Sequence, residues 1–112
     1  MSKYSLLLEY FTAFSEQRLD KLSDMFSDDV ILQDWEILAT GKAQVMAANA
    51  KIFDSVGTLQ VNIDTVSEDK SNANVIFAEI EVVINNDIIL KVVDVIRFDV
   101  HDKIVKITAY KR

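Results

Sequence analysis

The stretch that decides the fold runs from Val75 to Val100 and reads VIFAEIEVVI-NND-IILKVVDVIRFDV. Two long segments rich in valine and isoleucine flank an Asn-Asn-Asp triplet, a pattern typical of two β-strands joined by a tight hairpin. A period of two also holds at 59–64, and a second hairpin triplet, His101–Lys103, precedes a last strand at 104–110. With no proline to interrupt them, these four strands predict an antiparallel meander.

Upstream of the meander the apolar residues recur every three or four positions, which is the period of an amphipathic helix. The spacing predicts three helices, at 2–15, 18–26 and 42–56. Gly57 is placed to close the third helix in a left-handed conformation, and we expect a turn at 27–29 followed by a strand from Val30 to Leu38. Residues 1–112 therefore form a single α+β domain, with helices packed on one face of a curved antiparallel sheet and room for a pocket between them.

The composition argues against several kinds of site and partner. The net charge of −6 makes the surface a poor partner for nucleic acid or an anionic membrane, since both bind basic surfaces. The chain has no cysteine and a single histidine, His101, which argues against a disulfide, a metal site or a Ser-His triad. No segment has the length of a transmembrane helix and the N-terminus lacks the features of a signal peptide, so we expect a cytoplasmic location.

Two aspartates interrupt rows of apolar residues in the predicted strands. By the period of two, Asp34 shares a face with Leu32, and Asp94 shares a face with Val92 and Ile96. A buried, unpaired carboxylate is costly, so such a group tends to take up a proton, and carboxyls of this kind cluster at functional sites. The alternative is that one or both lie at a strand end, in contact with water or paired with a lysine or arginine.

The residues around these aspartates resemble a known family. YFTAF at 10–14, Leu19-Asp20 and MFSDDVILQD at 25–34 resemble the opening of the NTF2-like superfamily, which has a cystatin-like cone fold. Within that superfamily the resemblance is closest to the bacterial Δ5-3-ketosteroid isomerases. GKA at 41–43 resembles the start of the family's third helix, and VDVIRF at 93–98 resembles the stretch that carries a second aspartic acid. The resemblance spans nearly the whole chain.

The resemblance implies a catalytic role for three residues. Asp34 falls on the family's general base, Tyr10 on its oxyanion-hole tyrosine, and Asp94 on its protonated second donor. The implied reaction is a proton-transfer isomerisation of a small apolar carbonyl compound in the pocket, with no cofactor and no metal. From the residues alone, Tyr10 could also be a helix tyrosine with its hydroxyl at the surface. Trp35 stands where the family typically has proline, and this change at the pocket mouth argues against the steroid itself.

Two other functions stay open for this fold, because its Leu-Asp and Phe-x-Asp-Asp pattern is shared by the whole superfamily. One is a non-catalytic ligand-binding or dimerisation domain, and the other is a relative of the SnoaL-like polyketide cyclases. The superfamily also implies a homodimer through the outer face of the sheet, where Ile31, Trp35 and Ile37 would otherwise expose apolar surface. The expected partners are thus a small apolar molecule and a second copy of the chain.

Overall fold

A computed structural model describes residues 2–112 as three helices and six strands. In chain order these are α1 (Lys3–Ser15), α2 (Leu19–Met25), β1 (Phe26–Gln33), β2 (Leu38–Thr40), α3 (Lys42–Ser55), β3 (Leu59–Glu68), β4 (Val75–Ile84), β5 (Ile88–Phe98) and β6 (Ile104–Lys111). The predicted α+β class is confirmed, with helices first and a long meander after them.

The six strands form one sheet in the order β2-β1-β6-β5-β4-β3. Strands β3 to β6 are antiparallel neighbours in sequence order, which confirms the predicted meander. Strand β1 lies beside β6 and runs parallel to it, while the short β2 turns back antiparallel to β1. Because β1 and β6 are parallel, no tight turn can join them. The chain instead passes through β2, α3 and strands β3 to β5 before β6 pairs with β1.

Two predicted hairpins are also confirmed, and both depend on left-handed backbone. Asn85 and Asn86 have φ of 54° and 65°, the positive values that a type I′ turn requires at its two central residues, within a loop of three residues between Ile84 and Ile88. In the second hairpin Asp102 has φ of 61°, and the backbone N–H of Asp99 donates to the Lys103 carbonyl at 2.8 Å. Asparagine and aspartate tolerate this region better than other non-glycine residues, so the sequence fits the turns.

The helices cover one face of the sheet and seal the core against it. Helix α1 contacts β3 and β4, and α3 contacts β1 and β2. The Ser2 Oγ caps α1 by accepting a hydrogen bond from the Ser5 backbone N–H at 3.1 Å. The side chains that are fully enclosed between the layers include Leu7, Leu22, Val45, Ile76, Ile96 and Ile104. Within residues 2–112, no helix is long and apolar enough to cross a membrane.

Irregular pairing helps the sheet to curve around the helices. The register of β3 against β4 shifts between Ile63 and Thr65, and that of β5 against β6 shifts between Arg97 and Phe98. An extra residue on one strand of a pair bends that strand and increases the local twist. The concave face therefore wraps around α1 and α3, which leaves a space between the helices and the sheet.

The first strand differs from the prediction at both of its ends. It starts at Phe26, so the predicted turn at 27–29 is wrong, and it stops at Gln33 rather than continuing to Leu38. Phe26 is buried and pairs with Ile104 of β6, and this distant pairing overrides the local turn preference of the Ser-Asp-Asp sequence. The strand ends where the side chain of Asp34 replaces the sheet partner for the following backbone N–H groups.

Gly57 does not close α3 as expected. The helix ends at Ser55, Val56 is extended, and Gly57 lacks the positive φ of a left-handed cap. Its backbone N–H instead donates to the Asn85 Oδ1 at 2.7 Å, and a Cβ at this position would lie 2.9 Å from the same oxygen. Glycine is therefore required by a close approach to the β4–β5 hairpin and not by backbone conformation.

Candidate functional site

The space between the helices and the concave face of the sheet is a cavity of about 230 Å³. Its walls are mostly aliphatic and aromatic, with side chains from both long helices, from the loop after β1 and from strands β3 to β6. The three residues singled out in the sequence, Tyr10, Asp34 and Asp94, all line this cavity. Helix α1, the end of β1 and the middle of β5 thus bring together side chains that are up to 84 positions apart in the chain.

Tyr10 projects from α1 into the core and is only 6% exposed. Its ring packs against Phe11, Phe14 and Phe26, with ring centroids 5.5, 6.3 and 6.2 Å away. The tyrosine therefore does not lie at the surface. Burial, and then the nearby charge of Asp94, raise the pKa of the Tyr10 hydroxyl far above its ordinary value. The hydroxyl consequently stays protonated and can act as a hydrogen-bond donor.

Asp94 occupies the middle of β5 on its inner face and is 7% exposed. Its neighbours across the sheet are Ala78 on β4 and Ala109 on β6. Two alanines leave open the space in front of the carboxyl group, where larger side chains would have filled it. Burial, and then the charge of Asp34, raise the pKa of Asp94 from 3.8 to about 7. The expectation that Asp94 interrupts an apolar row is confirmed by buried Val92 and Ile96 on either side.

Asp34 lies just beyond the end of β1, so its predicted place within the strand is wrong, but it lines the cavity together with Leu32, with which it was predicted to share a face. Its Oδ1 accepts hydrogen bonds from the backbone N–H groups of Glu36 at 2.7 Å and Ile37 at 2.6 Å. Its own N–H donates to the Ile37 carbonyl at 2.9 Å. These bonds fix the conformation of the loop and the position of the carboxyl group. Within residues 2–112, the Oδ2 atom makes no hydrogen bond to protein.

The polar atoms of the site open onto the cavity. Across the described part of the chain, the Ser27 hydroxyl is the only fully enclosed side-chain polar atom that lacks a hydrogen-bond partner. The Tyr10 hydroxyl and the Asp94 carboxyl group make no hydrogen bond to protein, so each must retain some contact with the cavity space. Both groups are therefore available to a bound molecule.

The cavity is acidic as well as apolar. Asp34, Glu36 and Asp94 contribute to its lining, and none of its lining residues is a lysine, arginine or histidine. Within residues 2–112, neither Asp34 nor Asp94 takes part in an ion pair. The structure also brings together no group of three His, Cys, Asp or Glu side chains in this range that could hold a metal ion. The carboxyl groups that line the cavity are therefore not balanced by a basic side chain among its lining residues.

Two residues of the cavity wall differ from their predicted positions. Trp35 and Ile37 were expected on the outer face of the sheet, but both line the cavity. Trp35 is 40% exposed, and the Lys111 Nζ lies 4.9 Å from the centre of its ring. Because β1 ends at Gln33, the alternation of strand faces no longer applies to these residues. They form part of the cavity mouth and do not lie on the outer face of the sheet.

One polar residue of the cavity was missed in the sequence. Asn49 on α3 is 2% exposed and lines the cavity, and its Nδ2 donates to the Val45 carbonyl at 3.0 Å. It falls on the buried stripe that includes Val45, Ile52 and Phe53. An asparagine in an otherwise apolar helical stripe is the helical counterpart of an aspartate in an apolar strand row, and the helical period would have revealed it.

Comparisons with known proteins agree with this architecture. A family model described as a SnoaL-like domain matches residues 7–107. No curated protein is significantly similar to the chain. The match covers every helix and strand except the first four residues of α1 and the last four residues of β6.

Several solved structures share the fold at low sequence identity. A hypothetical protein from Catenulispora acidiphila with a ketosteroid isomerase-like fold, solved in complex with trimethylamine, aligns with a TM-score of 0.80 at 13% identity over 94% of this chain and 83% of its own. A candidate SnoaL-like polyketide cyclase from Shewanella denitrificans gives 0.81 at 14% over 97% and 89%. An LEH-like epoxide hydrolase from M. tuberculosis gives 0.80 at 14% over 96% and 80%. At such identities the likeness shows the fold and not the reaction.

Proposed function

The chain belongs to the SnoaL-like domain family, and we propose that it is an isomerase that moves a proton next to the carbonyl group of a small, neutral, apolar compound. One observation carries the proposal: Tyr10, Asp34 and Asp94 line a single apolar cavity. This combination offers a carboxylate base on one side and two protonated donors on another, which is the set of groups that enolate chemistry requires.

Asp34 is the proposed general base. Its carboxylate takes the proton from the carbon next to the carbonyl, and the electrons of that C–H bond form a carbon–carbon double bond while the carbonyl oxygen becomes an enolate. Asp34 then returns the proton to the far carbon of the allylic system, and the conjugated ketone is released. The two backbone N–H bonds to Oδ1 hold the carboxylate in place, and Oδ2 stays free to carry the proton.

Tyr10 and protonated Asp94 are the proposed donors to the enolate oxygen. Both are buried, both lack a hydrogen-bond partner in the described protein, and both have a raised pKa that favours the protonated form. Donors that are already oriented in a cavity of low polarity stabilise a developing negative charge more than water does. Mutations of such donors in other enzymes cost about a hundred- to a thousandfold in rate.

The cavity limits the substrate in charge and in size. Three carboxyl side chains and no basic side chain among its lining residues disfavour a carboxylate or phosphate ligand. Its volume of about 230 Å³ lies below the ~300–1,000 Å³ that is usual for pockets holding drug-sized ligands. We therefore propose a neutral ketone smaller than a steroid.

A second candidate function is the binding of a small organic cation without turnover. The acidic and aromatic lining, with Asp34, Tyr10 and Trp35, has the groups that attract an amine. The Catenulispora relative was solved in complex with trimethylamine. Under this alternative Asp94 would be ionised in the complex, so the affinity for the amine would rise with pH. The affinity for an enolate mimic would fall over the same pH range.

The deciding experiment follows proton transfer directly. A β,γ-unsaturated cyclohexenone is incubated with the protein in D₂O, and NMR measures both its conversion to the conjugated ketone and the entry of deuterium next to the carbonyl. We expect both to proceed faster than with Asp34→Asn protein, which keeps the shape and hydrogen bonds of the side chain. β-Naphthol, a small aromatic mimic of the enolate, is expected to bind competitively. Equal exchange by the two proteins, with trimethylamine binding intact, would favour the second candidate.

We also propose that two copies of the chain associate through the outer face of the sheet. On that face Ile89 and Tyr110 are 54% and 57% exposed, and Tyr110 lies beside Val93. Light scattering during gel filtration distinguishes a dimer from the 12.7 kDa single chain. A single-chain mass at micromolar concentration would contradict the association.

A further inference from the structure

We propose that Asn49 is a specificity-determining residue that accepts a hydrogen bond from a hydroxyl or N–H group of the substrate. The inference rests on the proposed function of the same cavity and narrows its substrate class. The ketone would then carry a second polar group, a hydrogen-bond donor, at a distance from its carbonyl.

Asn49 is a polar residue that is almost completely buried. The residue is 2% exposed and lies on the inner side of α3 between buried Val45 and Phe53. A polar amide in such a position is unfavourable unless its hydrogen-bonding groups find partners. Apart from Asp94, Asn49 is the only buried polar or charged residue within residues 2–112, and both of these side chains line the cavity.

A hydrogen bond to the backbone fixes the orientation of the Asn49 amide. A backbone carbonyl can only accept a hydrogen bond, so the group that faces the Val45 carbonyl at 3.0 Å must be the amide nitrogen. The amide is planar, and its oxygen therefore faces away from this carbonyl. In the described protein the Oδ1 atom has no hydrogen-bond donor and is not fully enclosed, and Asn49 is one of the residues that line the cavity.

The chemical character of Asn49 differs from that of the other buried polar groups. Tyr10 and protonated Asp94 offer hydrogens to a carbonyl oxygen, whereas the Asn49 oxygen has two lone pairs and needs a hydrogen from its partner. A plain hydrocarbon ketone would leave this acceptor unpaired on binding and would lose affinity. A ketone that also carries a hydroxyl or N–H group provides an acceptor for Tyr10 and Asp94 and a donor for the Asn49 oxygen.

The test compares ligands that differ only in a second hydroxyl group. Calorimetry measures the binding of β-naphthol and of dihydroxynaphthalenes with the second hydroxyl at different ring positions. For the unmodified protein we expect at least one of the diols to bind about tenfold more tightly than β-naphthol, the gain of one neutral hydrogen bond. In Asn49→Leu and Asn49→Ala proteins we expect that gain to disappear, so that the diols and β-naphthol bind with affinities within about threefold of one another. Asn62→Leu, at an exposed position of β3 that does not line the cavity, is the matched control and should keep the gain.

A second measurement needs no variant. The side-chain amide signals of Asn49 in a nitrogen–proton NMR spectrum should move when the favoured diol is added and stay in place with β-naphthol. If no diol binds better than β-naphthol, or if the gain survives in Asn49→Leu, Asn49 holds only a water molecule and the inference is overturned. If β-naphthol itself does not bind to the unmodified protein, the proposed function fails and the inference fails with it.

Discussion

The end of β1 and the middle of β5 each place an aspartate at the same cavity, but they surround it differently. At the end of β1, Asp34 Oδ1 accepts two backbone N–H bonds, at 2.7 and 2.6 Å. In the middle of β5, Asp94 is buried and its carboxyl group accepts no hydrogen bond from the described residues. One carboxyl group is thereby held by two backbone N–H groups, and the other, buried without such partners, has a pKa raised to about 7.

The difference follows from where each residue lies in its strand. In the middle of a sheet the backbone N–H groups are used by the ladder, as they are where Asp94 lies between Ala78 and Ala109. None is left for the carboxyl group. Where a strand stops, the next N–H groups lose their ladder partners and can turn towards a side chain. Two chemically identical groups thus differ in their hydrogen-bond partners because of where each lies in its strand.

Breaking the base is expected to have the largest effect. Asp34→Asn keeps an oxygen for the N–H groups of Glu36 and Ile37 but cannot take a proton, so we expect the rate of ketone isomerisation to fall by about 10²–10⁴-fold. The rate is measured as the appearance of conjugated ketone under saturating substrate. Asp29→Asn, an exposed position on β1, is the matched control. A loss of less than about threefold in Asp34→Asn would contradict the assignment of the base.

Removing the buried carboxyl is expected to change stability with pH. Because the pKa of Asp94 is raised from 3.8 to about 7 in the folded protein, the folded state holds its proton more tightly than the unfolded state does. Its contribution to the free energy of unfolding is therefore fully present below pH ~4 and is lost as the pH rises to about 7. Over the whole range this amounts to about 4 kcal/mol at ~1.4 kcal/mol for each tenfold change in the ionisation constant.

Urea unfolding of Asp94→Asn and Asp94→Leu checks this prediction. We expect both variants to lose that component of the pH dependence and to be more stable than the unmodified protein at pH ~8, by about 2–4 kcal/mol. Asp87→Asn, in the exposed β4–β5 hairpin, should follow the unmodified protein at every pH. A clear loss of stability at pH ~8 in both Asp94 variants would assign the residue a structural role.

The same ionisation should limit turnover. The proposed donor is the protonated form of Asp94, so kcat/KM should decrease as the pH rises through about 7, approaching about tenfold for each further pH unit. In Asp94→Asn, which cannot ionise, this limb of the pH profile should vanish although the rate at pH ~6 is lower. A descending limb that persists unchanged in Asp94→Asn would show that another group causes it.

The smallest effect is expected at the third carboxyl group of the cavity. Glu36 is exposed, and the pKa of Asp94 is raised by burial and by Asp34 rather than by Glu36. Glu36→Gln should therefore change the free energy of unfolding by no more than ~0.5 kcal/mol at any pH between about 4 and 8. Asp34→Asn measured in parallel should lower the pH at which stability changes. If Glu36→Gln lowers the pH at which stability changes more than Asp34→Asn does, then Glu36 and not Asp34 is the charge that raises the pKa of Asp94.

The sequence predicted the parts of this site that depend on a regular period. Period-two alternation placed Asp94 in an apolar row with Val92 and Ile96, which the structure shows on the inner face of β5. The prediction failed at the two ends of β1. The strand starts where Phe26 pairs with distant Ile104, and it stops where backbone N–H groups donate to the side chain of Asp34.

Other features could not follow from local patterns. The parallel pairing of β1 with β6 joins residues about 75 positions apart, and loop and turn preferences contain no information about such contacts. The alanines that open the space before Asp94 are recognised only once the register of three strands is known. Asn49, in contrast, lay on a helical stripe that the sequence already displayed.

A direct titration of the two aspartates tests the central claim most sharply. Carbon NMR of the side-chain carboxyl groups, assigned through Asp34→Asn and Asp94→Asn, follows each group from pH ~3 to ~9. We predict that Asp94 takes up its proton near pH 7 and that this midpoint falls in Asp34→Asn protein, because the charge of Asp34 raises the pKa of Asp94. A midpoint for Asp94 near pH 4, unchanged by Asp34→Asn, would contradict the assignment of one charged base and one neutral donor in this cavity.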